Sequence, residues 1–350
     1  MNKSERWLIN LAALVVVLAG IKSAGTIIVP LLVAIFVALV SSPIALGLQR
    51  RGVPTVISVL LVLLLLLGII AGLSAVVGGS VNAFRAAIPT YEGRLVEQLG
   101  QLTALAAQYN VAIDEASLRA MVNPNGAFQL FSNLLAAVGG LLTNGFLILL
   151  IVVFVLMEAA SMPDKVRVAF NRTDQAPFLA FGRFMSHLNK YMLIKTIVSA
   201  LTGILAALYC TWLGIDFPIV LGLIAFLLNY IPTLGSIIAG VPAVILAFIQ
   251  FGLGPAGATI LGYAAINVGL GNILEPRLQG RGLGVSPMVV FLSLIFWGWM
   301  LGLVGILLAI PLTMTAKLAF EESPRYRWLA ILLGPERPSR VDQIPPTNTL

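Results

Sequence analysis

The polar residues of this sequence that could do chemistry fall in two short clusters within its last third. The first surrounds a proline and runs from Asn229 to Ser236, and the second runs from Asn267 to Arg277. The residues around both clusters are almost entirely apolar, and polar groups in such surroundings are costly unless they serve a purpose. The candidates for binding or gating are Asn229, Pro232, Thr233, Gly235, Ser236, Asn267, Asn272, Glu275 and Arg277.

In the first cluster, a break in a helix would expose backbone groups. Pro232 cannot donate to the helical hydrogen-bond ladder, and Gly235 permits a bend. Carbonyls freed in this way can contact a cation, and helix N-termini can contact an anionic group. We therefore assign Asn229, Thr233 and Ser236 to polar contact with a substrate or ion. The alternative is a structural kink in which Asn229 satisfies the backbone.

In the second cluster, Glu275 is the candidate for coupling to protons or cations, because a carboxylate in apolar surroundings binds either one favourably. Asn272 and Glu275 are three residues apart, so an α-helix would place them on one face. Pro276 is expected to end the helix. Arg277 would pair with Glu275 or with an anionic group of a substrate. A solvated Glu275–Arg277 pair that anchors a loop is the alternative.

The composition determines the class of protein. Of 350 residues, 59% are apolar and 10% are charged, whereas soluble globular proteins average about 45–50% apolar and about 25% charged. This composition excludes a soluble enzyme, a nucleic-acid binder and a disordered scaffold. We predict an all-α, polytopic membrane protein. The candidate spans are residues 7–21, 24–47, 54–80, 127–157, 192–214, a broken pair at 217–231 and 234–250, 255–274 and 286–316.

Several enzyme classes lack the residues they need. Cys210 is the only cysteine and His187 the only histidine, so a disulfide, a cysteine metal site and most zinc or Cys/His enzymes are excluded. The sequence contains no GxxxxGK[ST] loop for ATP. Ser74 lies in a GxS context but has no suitably placed histidine, which argues against an intramembrane serine protease. We predict no enzyme activity, catalytic residue, metal or cofactor.

Charge placement predicts the organisation and the orientation. Near-neutral residues 82–122 contain an apolar stripe that includes Phe84, Tyr91, Leu95 and Leu99, typical of an amphipathic helix. Basic clusters at the N-terminus, near residue 50, in 158–191 and in the tail place both termini in the cytoplasm. The expected regions are membrane helices in 1–80, an outer amphipathic segment in 81–126, a membrane helix in 127–157, a basic interfacial segment in 158–191, a membrane domain in 192–320 and a partly disordered tail in 321–350.

Two segments of the last third share one pattern. Asp216-Phe-Pro218 and Ser286-Pro287 each place a polar capping residue ahead of proline, which is typical of a helix start. Each start is followed by an apolar half-helix, an interruption and a second apolar run. Paired broken helices of this kind occur in transporters as re-entrant hairpins. Two full spans joined by a tight turn remain the alternative for each segment.

The motifs resemble those of the AI-2E family, the autoinducer-2 exporter-like membrane proteins. The specific matches are Asn229-Tyr-Ile-Pro232-Thr-Leu-Gly235 and Asn272-Ile-Leu-Glu275-Pro276-Arg277, with Tyr191-Met-Leu-Ile-Lys-Thr196, Leu283-Gly-Val-Ser-Pro287 and Phe296-Trp-Gly-Trp in support. Many relatives carry Asn where this sequence has Thr233. The resemblance implies about seven or eight membrane helices, a homo-oligomer of pentameric type, and either export of autoinducer-2 or exchange of Na⁺ or Li⁺ for protons.

We therefore expect a secondary transporter that works without ATP, in the bacterial inner membrane, with lipids and a small solute or ion as its partners and no nucleic acid. The solute would be exported, or cations would be exchanged for protons. A passive channel is one alternative. An oligomeric scaffold that acts through the amphipathic segment in 81–126 is another.

Overall fold

The computed structural model describes residues 3–108, 129, 132–134, 136, 138–140, 143–169, 176–232, 234–279, 285–322 and 326–334. Every regular element within these ranges is helical, which confirms the all-α prediction. The helices are α1 (Lys3–Ser23), α2 (Gly25–Arg50), α3 (Thr55–Gln108), α4 (Gly145–Ala169), α5 (Ala176–Leu213), α6 (Pro218–Leu228), α7 (Leu234–Phe251), α8 (Leu253–Ile266), the π-helix π1 (Asn267–Leu274), α9 (Glu275–Gln279), α10 (Pro287–Leu307), α11 (Ala309–Glu322) and α12 (Arg327–Leu333).

Six helical segments of the described chain are long and apolar enough to cross a membrane, and a seventh is added if one bent pair counts as a span. They lie within α2, α3, α5, α7, the continuous run from Leu253 to Gln279, and α10. The bent pair is Ser132–Gly140 with Gly145–Glu158. A polytopic helical membrane protein is thereby confirmed.

Two of the helices are longer than a bilayer requires. α3 has 54 residues, about 80 Å at 1.5 Å per residue, against a hydrocarbon core of about 30 Å. The third predicted span and the described part of the amphipathic segment are therefore one continuous helix. Four residues of its predicted stripe, Phe84, Tyr91, Leu95 and Leu99, are buried. α5 likewise joins the described end of the basic segment to the following span without a break.

The chain divides into two compact units. The first contains residues 1–60, 150–193 and 279–350, and the second contains residues 61–149 and 194–278. Each unit includes one of the two segments predicted to be broken. The thirty-four-residue stretch of α6 and α7 lies in the second unit, and α10 with α11 lies in the first.

In the second unit, α6 and α7 pack against each other as a hairpin, which we call the first hairpin (residues 216–251). Its two ends meet: the Asp216 amide donates to Gln250 Oε1 at 3.2 Å, and Gln250 Nε2 donates to the Asp216 carboxylate at 3.0 Å. α6 has 11 residues, about 16 Å, which is too short to cross the hydrocarbon core. The segment therefore starts and finishes at one end of its unit.

In the first unit, α10 and α11 form the second hairpin (residues 286–322). α10 is kinked at Gly302, whose φ of 65° and ψ of −145° are strained for any residue with a side chain. Beyond this kink the end of α10 turns back beside the part that precedes the kink. A Cβ on Gly298 would lie 2.7 Å from Ile306 Cγ1. Trp297 Nε1 donates to Thr313 Oγ1 at 3.0 Å and links α10 to α11.

The predicted start of the second hairpin is correct, but the predicted cap of the first is wrong. Ser286 Oγ accepts the Val289 amide at 3.2 Å, with Pro287 in the first turn. α6 does begin at Pro218, yet its N-cap is Phe217 in the left-handed conformation and receives no side-chain cap. Phe217 separates Asp216 from the helix, and the Asp216 carboxylate bonds elsewhere.

The predicted helix end at Pro276 is also wrong. The chain passes from α8 through π1 directly into α9, which contains Pro276 and ends at Gln279. A proline in an α-helix clashes with the carbonyl four residues earlier and leaves it without a donor. In π1 the Glu275 amide bonds to the Leu270 carbonyl, five residues back. This wider turn gives the proline ring room, so the helix continues.

Candidate functional site

One face of α5 carries a line of buried polar side chains within the second unit. Lys195, Ser199 and Thr202 are spaced by four and three residues, which places them on one side of an α-helix. All three are buried, and Thr196 beside them is partly buried. This face meets both predicted clusters: the break of the first hairpin and the end of the Leu253–Gln279 helix.

The central contact of the site is an ion pair between Lys195 and Glu275. Lys195 Nζ donates to both carboxylate oxygens of Glu275, at 2.8 Å and 2.9 Å. The side chains are 4% and 15% exposed. An isolated charge at this burial would be strongly unfavourable, so each group stabilises the ionised form of the other.

The polar residues that flank the break of the first hairpin bond to the same face of α5. Asn229 Nδ2 donates to Ser199 Oγ at 3.0 Å, and the Tyr230 hydroxyl donates to Thr196 Oγ1 at 2.8 Å. Asn229 is 6% exposed. Its amide is thus used between elements, whereas in a simple kink it would serve its own backbone.

The backbone of the break is tightly folded. The Ile231 amide bonds to the Leu228 carbonyl at 2.8 Å, and the Gly235 amide bonds to the Ile231 carbonyl at 3.2 Å. A Cβ on Gly235 would collide with the Leu228 carbonyl oxygen, so the turn needs glycine there. Pro232 lies at the turn and Ser236 is partly buried in the first turn of α7. Thr233 lies outside the described residues.

Members of the second predicted cluster separate around π1. Glu275 is turned toward α5, whereas Asn272 and Arg277 are exposed. The expectation that Asn272 and Glu275 share a face assumed α-helical spacing, and the wider π turn rotates residues three apart further from each other. Asn267 is partly buried, and its Oδ1 lies 2.9 Å from where a Cβ on Gly271 would stand. The structure thus brings Glu275 and Asn229 to one helix face and leaves Asn272 and Arg277 outside it.

Sequence reasoning missed the α5 residues of the site. It expected Arg277 to pair with Glu275 or with an anionic group of a substrate, while the structure gives the Glu275 carboxylate an ion pair with Lys195, eighty positions earlier. A signal was present, because Lys195 begins an almost uncharged run that ends at Glu275, with Asp216 as its single interruption. The two charged residues at the ends of such a run are natural partners, but only the tertiary structure shows that they meet.

This arrangement can bind and release small charged species. The Glu275 carboxylate can accept a proton or a small cation, and either event would weaken its attraction to Lys195. Lys195 would then be available to an anionic or strongly polar group. The hydroxyls of Thr196 and Ser199, which bond to the residues beside the hairpin break, lie on the same helix as Lys195 and within one turn of it. Chemistry of this type fits a binding site with no bond cleavage.

Comparison with known proteins gives the family of this chain. The sequence model described as AI-2E family transporter matches residues 11–325. The AI-2 transport protein TqsA of Escherichia coli is 36% identical over 326 residues, covering 93% of this chain and 94% of that protein. YhhT of the same species, whose name states transport without a cargo, is 35% identical over 331 residues, covering 95% of each chain. A transport protein homologue of Haemophilus influenzae is 35% identical over 335 residues, covering 94% of this chain and 96% of its own.

The resemblance to the AI-2E family is therefore confirmed across nearly the whole chain. The names of these relatives describe transport and no enzyme reaction. Together with helices fit to cross a membrane, this shows that the chain is a membrane transporter that belongs to the AI-2E family.

Proposed function

We propose that the chain is a secondary transporter in which the Lys195–Glu275 pair couples the movement of a small polar solute to a proton or cation gradient. The observation that carries the proposal is the burial of this pair between two candidate membrane spans. A well-packed apolar pair of the same size would be at least as stable there. Charges held at such a place are typical of ion and proton pathways.

The coupling follows from competition for one carboxylate. A proton or a cation such as Na⁺ that binds Glu275 displaces the Lys195 ammonium, and departure of that ion restores the pair. Exchange of a cation for a proton needs no further site, since both compete for the same oxygens. Transport of a solute needs one more step, in which the released Lys195 and the polar groups at Asn229 and Ser236 contact the cargo.

The cargo proposed first is AI-2, because the Escherichia coli relative is named for its transport. Cation/proton exchange is the second candidate, and the ion pair favours it directly. We place the protein in the bacterial inner membrane with both termini in the cytoplasm, as the basic loops indicate. A homo-oligomer is proposed on the family resemblance. The absence of an ATP-binding loop from the sequence supports a gradient as the energy source.

The test is flux into proteoliposomes under imposed H⁺ and Na⁺ gradients, with AI-2 and with Na⁺ or Li⁺ as the transported species. We expect saturable flux that responds to a counter-gradient, and we expect Glu275→Gln to abolish its dependence on pH. Glu321→Gln is the matched control, because Glu321 pairs with Lys317 one helical turn away and is 45% exposed.

Three results would contradict the proposal. Unchanged flux and an unchanged pH profile in Glu275→Gln would remove Glu275 from the mechanism. Flux that saturates poorly and ignores a counter-gradient would identify a passive channel. Lack of flux for every species, with biological activity that is lost when the outer part of α3 is deleted, would identify a scaffold.

A further inference from the structure

The first hairpin is held differently at its base and at its tip. We define the base as residues 214–217 with 250–252, and the tip as residues 229–232. At the base, the Asp216 carboxylate accepts from the Tyr91 hydroxyl at 2.6 Å and from Gln250 Nε2 at 3.0 Å. Phe217 also packs edge-on against Phe84 of α3, with ring centroids 5.8 Å apart. Several contacts therefore fix the base to α3.

At the tip, one side-chain hydrogen bond joins Asn229 to Ser199 of α5 and another joins Tyr230 to Thr196. Both join neutral groups, and such bonds contribute little each because water can replace them. Their partners on α5 are Thr196, which follows Lys195 in the sequence, and Ser199, which lies one helical turn beyond Lys195. Any shift of the Lys195 backbone must therefore move Thr196 and Ser199.

Neutralising Glu275 leaves the Lys195 ammonium at 4% exposure without its counter-charge, an arrangement that is strongly unfavourable. The strain must be relieved where the surrounding contacts are weakest. Among the elements around the pair, α6 and α7 contain no titratable group, Tyr230 faces α5 through Thr196, and Arg277 is exposed two residues from Glu275. Tyr191 lies one turn before Lys195 on α5 and is buried. The tip is joined to the α5 face beside Lys195 by neutral hydrogen bonds, which a shift of that face would strain.

We infer that Thr196 and Ser199 are positioning residues that hold the hairpin tip closed while the Lys195–Glu275 pair is intact and release it when the pair is broken. This inference rests on the proposed function, since it makes the hairpin tip the part that responds to the coupling ion. Thr196 and Ser199 act through Tyr230 and Asn229, and transmit the state of the pair without binding the ion themselves.

The experiment places a cysteine at Ile231, which is 6% exposed, in a full-length Cys210→Ala background. Labelling by a small polar maleimide in proteoliposomes then reports tip opening. We expect Glu275→Gln to raise labelling above that of the parent at the same pH, because it removes the counter-charge of Lys195. We expect Thr196→Val and Ser199→Ala each to raise labelling at alkaline pH about five- to tenfold, the equilibrium shift that follows from loss of one such hydrogen bond.

Thr211→Val is the matched control. Thr211 also lies on α5, but it is exposed and its hydroxyl bonds to the Ala207 carbonyl of its own helix at 2.8 Å. It should leave labelling and the pH profile of flux unchanged, and Thr196→Ser, which keeps the hydroxyl, should behave as the parent does. Thr196→Val and Ser199→Ala should shift the pH profile of flux more than they change the solute concentration that gives half-maximal flux.

The outcomes separate this inference from the proposed function. If Glu275→Gln alters the pH profile of flux while Thr196→Val and Ser199→Ala alter neither labelling nor flux, the inference is overturned and the proposed function stands. If Glu275→Gln is labelled no faster than the parent at the same pH, the inference is overturned whatever the flux shows. If labelling depends on Glu275, Thr196 and Ser199 as expected but no species is transported, the tip mechanism stands and the proposed cargo and coupling fail.

Discussion

At the scale of single residues, the Lys195–Glu275 pair distinguishes this chain from a purely structural helix bundle. Charges buried in this way stabilise a fold poorly, because loss of hydration offsets most of their attraction. Removing one partner is worse than removing both, since it strands the other charge. The pair can therefore be recognised by the energetics of its single and double variants.

We expect Lys195→Met and Glu275→Gln each to lower the free energy of unfolding by about 3–5 kcal/mol, and the double variant to recover most of this loss. Thermal melting of the detergent-solubilised protein would measure the difference. Glu321→Gln, at the exposed Lys317–Glu321 pair, should cost less than about 1 kcal/mol. Additive losses in the double variant would show that the two groups do not depend on each other.

At the scale of elements, close helix contact explains how α5 reaches the hairpin. Gly203 of α5 and Gly222 of α6 face each other, and a Cβ on Gly203 would lie 2.7 Å from the Gly222 carbonyl oxygen. Small residues at such crossings let backbones approach and bring neighbouring polar groups within hydrogen-bonding distance. Gly68 and Gly72 of α3 have the spacing that permits the same kind of contact, but a Cβ at either position meets nothing within 4 Å in the described chain.

Gly203→Ala should therefore destabilise the protein, by about 1–3 kcal/mol, because the added methyl group overpacks the α5–α6 crossing. It should also reduce transport, since Ser199 and Thr196 would be pushed away from the tip. Gly72→Ala is the control with identical chemistry in open space, and it should cause no loss of stability. Thermal melting and proteoliposome flux measure both effects; equal melting temperatures for the two variants would contradict the proposed crossing.

At the scale of the whole molecule, the two hairpins affect the number of times that the chain crosses the membrane. A hairpin that starts and finishes on one side leaves the parity of the remaining spans unchanged. The proposed cytoplasmic position of the basic clusters predicts that residue 51 and helix α12 are reached from the inside and the outer part of α3 from the outside. Tyr91 and Asp216, which are hydrogen-bonded, would then both lie on the outer side, because α5 crosses outward from the basic segment.

Single cysteines in a Cys210→Ala background test this topology. Arg51→Cys and Trp328→Cys should react with a membrane-impermeant maleimide only in inside-out vesicles, and Gln101→Cys only in right-side-out vesicles. All three native side chains are exposed, so access should depend on the side of the membrane alone. Reaction of Gln101→Cys and Arg51→Cys from the same side would show that α3 does not cross.

Much of the fold could be read from the sequence because it depends on local patterns. Uncharged apolar runs predict spans, Ser286-Pro287 predicts a helix start, and the stripe through Tyr91 and Leu99 predicts a buried face. Local rules failed where a distant contact competed with them. Asp216 bonds to Tyr91 and Gln250 instead of capping α6, and π1 lets the helix pass through Pro276.

The sequence by itself determined that the chain is a helical membrane protein, that its last third contains two interrupted segments, and that Asn229 and Glu275 stand among its few polar groups there. These properties follow from composition and short-range spacing. Only the tertiary structure decided that Glu275 pairs with Lys195, that Asn229 and Tyr230 bond to Ser199 and Thr196, and that the first hairpin closes on itself at Asp216 and Gln250. Such partners are separated by 30 to 80 positions, and helix packing, which residue spacing does not encode, brings them together.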